Sequence, residues 1–353
     1  MDLMHFTKKL ISWYTERKRE LPWRKIKDPY PIWLSEIILQ QTRVEQGLPY
    51  WEQFIKEFPS IHDLANATED KVLRLWQGLG YYSRARNLLF AAKYISKELE
   101  GKFPKTYKEI LALKGVGPYT AAAIASICFN EATPVVDGNV FRFSSRYFGI
   151  KKDISASKTR NIFEKYLQKV IDRNQPGVFN QAMMEFGATI CSPQPKCVEC
   201  IFRESCYAFS KSMQKELPVK TKKVKVSTRH LNYVAFSSDN HFLLKQRGPK
   251  DIWQGLYDFY LVEGELSEGE LMHNLTLELE LKGHLNINEK TEEAEHILSH
   301  QKIMARFFEI ELSEMKYHSI IQKTNLMSFS IEELLNLPKP KLIVNYLEKV
   351  GIK

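Results

Sequence analysis

Two acids and four thiols are the residues best placed to do chemistry. Glu36 sits inside Ile32-Trp33-Leu34-Ser35-Glu36-Ile37-Ile38-Leu39-Gln40-Gln41-Thr42-Arg43, a run that is apolar nearly all round. A carboxylate there is costly unless it is paired or holds a proton. Either a basic group such as Arg43 satisfies it, or the apolar wall raises its pKa and makes it a general acid. Asp137 lies in Val135-Val136-Asp137-Gly138-Asn139-Val140. Asp-Gly makes a turn and Asn139 can cap the helix that follows, so Asp137 standing alone reads as a turn residue. Cys191, Cys197, Cys200 and Cys206 follow with spacings x5, x2 and x5. Four reduced thiols so close together point to metal, either a [4Fe–4S] cluster or Zn²⁺, and spacing alone does not choose. Cys128, in an alanine-rich helix, reads as packing.

These groups need elements to hold them. A helical run from Tyr107 to Leu113 ends in Gly115-Val116-Gly117, and Pro118-Tyr119-Thr120 opens a new helix with small residues after it. Gly115 and Gly117 let a ligand approach the backbone, and Pro118 suits a first helical turn. The free amides at that helix start suit a phosphate oxygen. An ordinary tight helical corner has the same pattern. Leu3, Phe6, Leu10, Trp13 and Tyr14 predict an amphipathic first helix. Leu21-Pro22-Trp23-Arg24 breaks it, Asp28-Pro29-Tyr30-Pro31 turns, and a buried helix should run through Ile32–Arg43. Trp51, Phe54 and Phe58 form one stripe of the helices that follow. In Gly78-Leu79-Gly80-Tyr81-Tyr82-Ser83-Arg84-Ala85-Arg86, two tyrosines and two arginines share a glycine-rich turn. Base stacking with phosphate contact is one reading; core tyrosines with a solvated basic face is the other.

The chain has 353 residues, 44% of them hydrophobic, which is enough for two domains with real cores. Its formal net charge is +9, and its pI of about 9.1 suits a polyanionic partner. No apolar run approaches a membrane span, and Met1-Asp2-Leu3-Met4-His5 lacks the features of a signal peptide. A cytoplasmic protein is expected, and there clustered cysteines mean metal rather than disulfides.

Residues 211–229 read as a linker with seven Lys or Arg and one acid, Glu216, a net +6. Beyond it, Leu231–Phe236 and His241–Lys245 are strand-like, a helix is expected near 267–281, and more strand near Ala305–Leu312. This part reads as a second domain of α+β type.

Taken together, Leu21–Arg24, Trp33–Thr42, Gly78–Arg84, the hairpin, Val136–Val140 and the four cysteines resemble the adenine DNA glycosylases of the MutY type. These belong to the helix–hairpin–helix iron–sulfur DNA glycosylases. The resemblance covers nearly the whole chain. It implies a mainly α helix–hairpin–helix glycosylase domain at 1–210, with a six-helix barrel and an iron–sulfur helical subdomain. A basic linker at 211–229 and a C-terminal α+β MutT/Nudix-like domain at 230–353 would follow. It also implies removal of adenine opposite 8-oxoguanine or G by flipping the base out of duplex DNA.

By this resemblance Glu36 is the general acid, Asp137 the second carboxylate, and the cysteines hold a [4Fe–4S] cluster that keeps the basic loop of Lys196 and Arg203 near DNA. The departing adenine must be neutralised while the sugar becomes oxocarbenium-like, so one carboxyl must be protonated and the other ionised. The apolar helix favours the acid form of Glu36; a polar helix start favours the anion of Asp137. Tyr119 stands where strand-cutting relatives such as endonuclease III carry a Schiff-base lysine, which implies a monofunctional enzyme. Gln41 and Tyr81 match residues that probe or fill the opened base stack. Arg24 and Leu39 match the lining of the adenine pocket. Gln181 stands where the family usually has a Glu that contacts adenine. The first cysteine interval is one residue shorter than usual.

The second domain lacks a glutamate-rich Nudix box and should not hydrolyse nucleotides. The resemblance gives 8-oxoguanine recognition to Leu298-Ser299-His300, with Leu298 in place of the usual Phe. The expected protein is a nucleoid-associated monomer that needs no membrane. A bifunctional glycosylase/lyase and a non-catalytic damage-binding protein are the competing readings.

Overall fold

The computed structural model describes residues 3–156, 158–222, 226–280 and 292–352. Lys223 and Lys225 of the basic linker, and the end of the helix expected near 281, lie outside the described residues. The first part holds α1 (Leu3–Arg17), α2 (Pro29–Ile38), α3 (Val44–Glu57), α4 (Ile61–Asn66), α5 (Glu69–Leu75) and α6 (Ser83–Glu98). It continues with α7 (Tyr107–Leu111), α8 (Pro118–Phe129), α9 (Gly138–Phe148), α10 (Thr159–Leu167), α11 (Pro176–Thr189) and α12 (Tyr207–Ser210). Then come β1 (Ser227–Ser238), β2 (His241–Gln246), β3 (Tyr257–Asp258), β4 (Tyr260–Glu263), α13 (Glu268–Leu279) and β5 (Glu292–Ile297). The chain ends through β6 (Gln301–Glu311), α14 (Glu314–Lys323), β7 (Met327–Ser330), α15 (Ile331–Asn336) and α16 (Lys341–Lys349). Two compact units result: Met1–Asn66 with Asn87–Lys222, and Ala67–Arg86 with Lys223–Lys353. Among the described residues no helix is long and apolar enough to cross a membrane.

The first unit is helical. Asp28 caps α2 by accepting from the Tyr30 amide at 3.0 Å, so the turn expected at residues 28–31 is the helix's own first turn. The helix expected through Arg43 stops at Ile38. The reason is local. Leu39 closes the last turn, and Gln41 takes a left-handed φ of 58°, which redirects the chain into α3. Trp33, Leu34, Ile37 and Ile38 of α2 are buried.

α7 begins with a Thr106–Glu109 capping box. Gly115 then has φ 81°, and a Cβ there would lie 2.5 Å from Cβ of Asn87. Gly117 caps α8 from an extended conformation, with Pro118 in the first turn. Ala121 to Ala125 are all buried, so α8 packs closely against its neighbours. At Gly177 of α11, a Cβ would meet the Ile127 backbone at 2.7 Å. Behind the hairpin, Phe6, Phe143, Phe186 and Phe202 form one aromatic core with ring centroids 4.6 to 6.0 Å apart. Such rings stabilise by area burial and by tilted contacts, and truncating one costs about 3–5 kcal/mol.

The second unit is a seven-stranded sheet among the described residues. β1 runs parallel to β6, with Tyr233 opposite Phe307, and antiparallel to β2 and β4. Leu271, Leu275 and Leu279, four residues apart on α13, join Val234, Phe236, Phe308 and Ile310 in its core. The segment Ala67–Arg86 belongs to this unit. Arg86 donates from Nη1 to the Gln254 carbonyl at 2.5 Å, and the Lys339 amide donates to Gln77 Oε1 at 2.9 Å.

The turn at residues 78–86 matches neither sequence reading completely. Tyr82 is buried whereas Tyr81 is 41% exposed. Arg84 is buried and donates to the carbonyls of Leu79 and Gly80 at 3.1 Å each. The glycines leave those carbonyls pointing inward, and a guanidinium satisfies them.

Candidate active site

Within the helical unit, α2, α8, α9 and α11 converge on one cavity of about 350 Å³. Arg24, Glu36, Leu39, Tyr119, Asp137 and Gln181 all line it. Glu36 comes from the middle of α2. Burial, the dominant cause, pushes its pKa up to about 7; a hydrogen bond with Tyr119 opposes this and nearby Asp137 adds to it. Arg43 lines the same cavity but forms no ion pair with Glu36 among the described residues. The phenol of Tyr119, in the first turn of α8, lies between two acceptors for its single hydrogen, the Glu36 carboxyl and Met184 Sδ, the latter at 3.1 Å.

Asp137 itself caps α9; Asn139 does not. Oδ1 accepts from the Val140 amide at 2.7 Å and Oδ2 from Asn139 Nδ2 at 2.8 Å. These donors favour the anion. Burial outweighs them, so the Asp137 pKa still lies above the usual aspartate value. The expectation of a polar, anion-favouring helix start is thus only half of the balance.

Three residues to which the sequence reading gave no site role, Glu185, Arg19 and Tyr14, complete the site. Glu185, 1% exposed, accepts from Arg24 Nη2 at 2.7 Å and from Arg19 Nε at 2.7 Å and Nη2 at 2.9 Å. Burial pushes its pKa up, but the hydrogen bonds from Arg19 and Arg24 win and hold it down at about 2. Tyr14 Oη donates to Gln181 Oε1 at 2.7 Å. The available signal was Glu185 one turn after Gln181 on an otherwise apolar helix. Its partners lie 161 and 166 residues away in sequence.

Gln41 does not line this cavity; it occupies the left-handed turn after α2. Gly115 and Gly117 lie in the hairpin before α8. No side chain lies within 4 Å of a Cβ placed on Gly117, so nothing in the chain itself requires glycine there. In the second unit the Tyr81 and Ser299 hydroxyls are hydrogen-bonded to each other.

The sequence pattern of HhH-GPD superfamily base excision DNA repair proteins matches residues 34–169, and that of the NUDIX domain matches residues 232–349. An adenine DNA glycosylase of Buchnera aphidicola subsp. Schizaphis graminum is 31% identical over 353 residues, covering 99% of either chain. The chain belongs to the adenine DNA glycosylases. The adenine DNA glycosylase of Homo sapiens is 42% identical over 226 residues, 61% of this chain and 41% of that one. A thermostable thymine-DNA glycosylase structure superposes with a TM-score of 0.55 at 27% identity, covering 59% of this chain and 97% of that one.

In this adenine DNA glycosylase family member the cysteines border a second, small apolar cavity together with Phe143, Arg146 and Phe202. No disulfide joins them. Among the described residues no three His, Cys, Asp or Glu side chains close around a single ion. The donor set is nonetheless four thiols and no carboxylate, which suits a thiolate-bound group. Arg146 fixes the loop by donating to the carbonyls of Ser192 at 2.6 Å and Pro193 at 3.1 Å. Arg142 reaches from Cys191 O at 2.7 Å to Asn139 Oδ1 at 2.9 Å, which links the cysteine loop to the residue that holds Asp137.

Proposed function

We propose that this chain excises adenine paired with 8-oxoguanine or G from duplex DNA and leaves the strand uncut. The observation that carries the reading is the pairing of Glu36 and Asp137 across one cavity that a purine nucleotide can enter. Glu36, protonated near neutral pH, gives its proton to a nitrogen of the departing adenine. As the glycosidic bond breaks, the electron pair leaves with the base and the sugar becomes cationic. The Asp137 anion, held by the Val140 amide and Asn139, stabilises that charge, and water completes the hydrolysis.

Gln181 contacts the adenine edge: with Oε1 occupied by Tyr14, its Nε2 is left to donate to a ring nitrogen. Arg24 and Leu39 wall the pocket. The Gly115 and Gly117 amides take a phosphate oxygen, and the bare Gly117 lets the backbone come close. In the second unit, Tyr81 and Ser299 meet where 8-oxoguanine is read, and Leu298 in the same loop gives weaker stacking than a Phe. Gln41 enters the opened stack. The protein works as a monomer at the nucleoid.

Cys191, Cys197, Cys200 and Cys206 would hold a [4Fe–4S] cluster. Four thiols spread around a cavity suit a multi-atom cluster better than Zn²⁺, whose sulfurs must all lie about 2.3 Å from one point. When bound, the cluster supplies structural crosslinking of the loop. A brown colour would accompany iron and sulfide; a colourless zinc protein would contradict this part.

Glu36→Gln tests the central claim. Adenine release from an A:8-oxoguanine duplex should cease while duplex binding persists. Full activity would remove Glu36 as the acid.

A further inference from the structure

The loop from Lys250 to Gly255, between β2 and β3, holds a bulky residue in the left-handed region: Trp253 has a φ of 61°. That conformation is an outlier for a large side chain, and it persists only where the surroundings over-determine it. Arg247 supplies the constraint. It is buried, and it donates from Nε to the Ile252 carbonyl at 3.0 Å and from Nη1 to Asp258 Oδ2 at 2.5 Å. Its guanidinium lies 5.8 Å from the Trp253 ring centroid. The buried indole meets the His296 ring edge-on, with centroids 5.8 Å apart. His296 is on β5, three residues before Ser299. The next loop residue engages a different segment: the Gln254 carbonyl accepts from Arg86 Nη1 at 2.5 Å, and Arg86 follows Tyr81 by five residues. Gly255 seats the loop on α5, where a Cβ would lie 3.0 Å from Leu73 Cδ1. Two successive residues thus anchor the two segments whose exposed tips, Tyr81 and Ser299, share a hydrogen bond.

We propose that Trp253 is a positioning residue for lesion specificity: with Gln254 it staples the Tyr81 and Ser299 tips in register, and the preference for 8-oxoguanine over G opposite adenine depends on that register. The inference rests on the assignment of 8-oxoguanine reading to Tyr81 and Ser299. Both tips need outside support. Their hydrogen bond is exposed and competes with water, and Tyr81 is itself left-handed at φ 48°. The chemistry makes the register matter. 8-Oxoguanine differs from guanine only in an oxygen at C8 and a hydrogen at N7, so one or two hydrogen bonds must tell them apart. Such bonds fade beyond about 3.2 Å, and a hydroxyl displaced by roughly an ångström no longer discriminates. Turnover of an adenine opposite plain G makes no use of that bond. Loss of the staple therefore shows as lost preference rather than as lost catalysis.

The test uses the full chain and two duplexes, A:8-oxoguanine and A:G, and reads the ratio of their kcat/KM values. Trp253→Gly accepts the left-handed φ without strain and deletes only the indole. It should lower the ratio about five- to tenfold while kcat/KM on A:G stays within about twofold of wild type. Trp253→Phe keeps a ring against His296 and should retain the wild-type ratio. Arg86→Leu removes the second arm of the staple and should lower the ratio as Trp253→Gly does, which keeps the test decisive if the glycine variant folds poorly. Ser299→Ala, measured beside them, should lower the ratio by itself. An unchanged ratio in Trp253→Gly or in Arg86→Leu, with a lowered ratio in Ser299→Ala, would overturn the staple alone. Equal losses on both duplexes would also overturn it, because a merely structural tryptophan would act that way. An unchanged ratio in Ser299→Ala would overturn the reading of 8-oxoguanine by this loop and the staple with it.

Discussion

Asn139 donates from Nδ2 to Oδ2 of Asp137 at 2.8 Å, and its own Oδ1 accepts from Arg142 Nη2 at 2.9 Å. The amide is therefore oriented from behind, with its donor end turned to the carboxylate. Replacing Arg142 by Leu frees Asn139 to rotate and removes the tie to the Cys191 carbonyl. A hydrogen bond to a charged group is worth roughly 1.5–3 kcal/mol, which corresponds to about a ten- to hundredfold loss in single-turnover adenine release. An unchanged rate would mean that the Val140 amide alone sets Asp137.

With Glu36 as the acid and Asp137 as the anion, the two carboxyls should set the pH profile. Release should fall as pH rises through about 7, because Glu36 then loses its proton. It should also fall on the acid side as Asp137 takes one up, at a pH above the usual aspartate range because burial raises it. A single-turnover profile with one limb only would separate the pair.

Stability carries the same signature with a definite sign. The Glu36 pKa is higher in the folded chain than in the unfolded one, so its contribution is fully present below pH 4–5 and is lost as pH rises through about 7. Glu36→Gln should remove that loss and make the protein more stable than wild type at pH 8, by about 3 kcal/mol at most. Urea unfolding of both proteins at pH 5 and pH 8 measures it; a gap that does not widen with pH would contradict the buried acid.

Tyr119 has no amine to offer, so borohydride should trap no protein–DNA adduct above background. Tyr119→Lys places a primary amine beside Glu36, where it can attack the sugar C1′. Adduct formation by the variant alone is the expected result. Trapping by the wild type would revive a lyase.

Glu185 neutralises two arginines from a position with 1% exposure. Glu185→Ala leaves Arg24 without its counter-ion at the cavity wall. Breaking a buried pair in this way costs about 3–5 kcal/mol, and urea denaturation should show the loss. Arg19→Ala should cost less, because Arg19 is the more exposed partner.

Much of this site was legible from short-range chemistry. An acid in an oily helix, two glycines before a proline, and four cysteines each announce themselves within sixteen residues or fewer. What was hidden depends on distance in sequence or on one dihedral angle. The end of α2 at Ile38 turns on the left-handed Gln41, and an unbroken apolar run gives no warning of it. Both Asp137 and Asn139 are good capping residues; only the fold decides that Asp137 caps and Asn139 supports it. The Glu185 clamp and the Tyr14–Gln181 contact join residues more than 160 positions apart, so no periodicity can reveal them. Arg84 looked free because a sequence does not show which carbonyls a tight turn leaves inside.

Residues 67–86 are grouped with Lys223–Lys353 rather than with the helices on either side of them in the chain. Proteolytic loss of everything past residue 222 would strip Arg86 of the Gln254 carbonyl and Gln77 of the Lys339 amide. The shortened enzyme would carry a loosened flap at Gly78–Tyr81, so weaker turnover after such trimming would report a mechanical defect in that flap as well as the loss of the trimmed part.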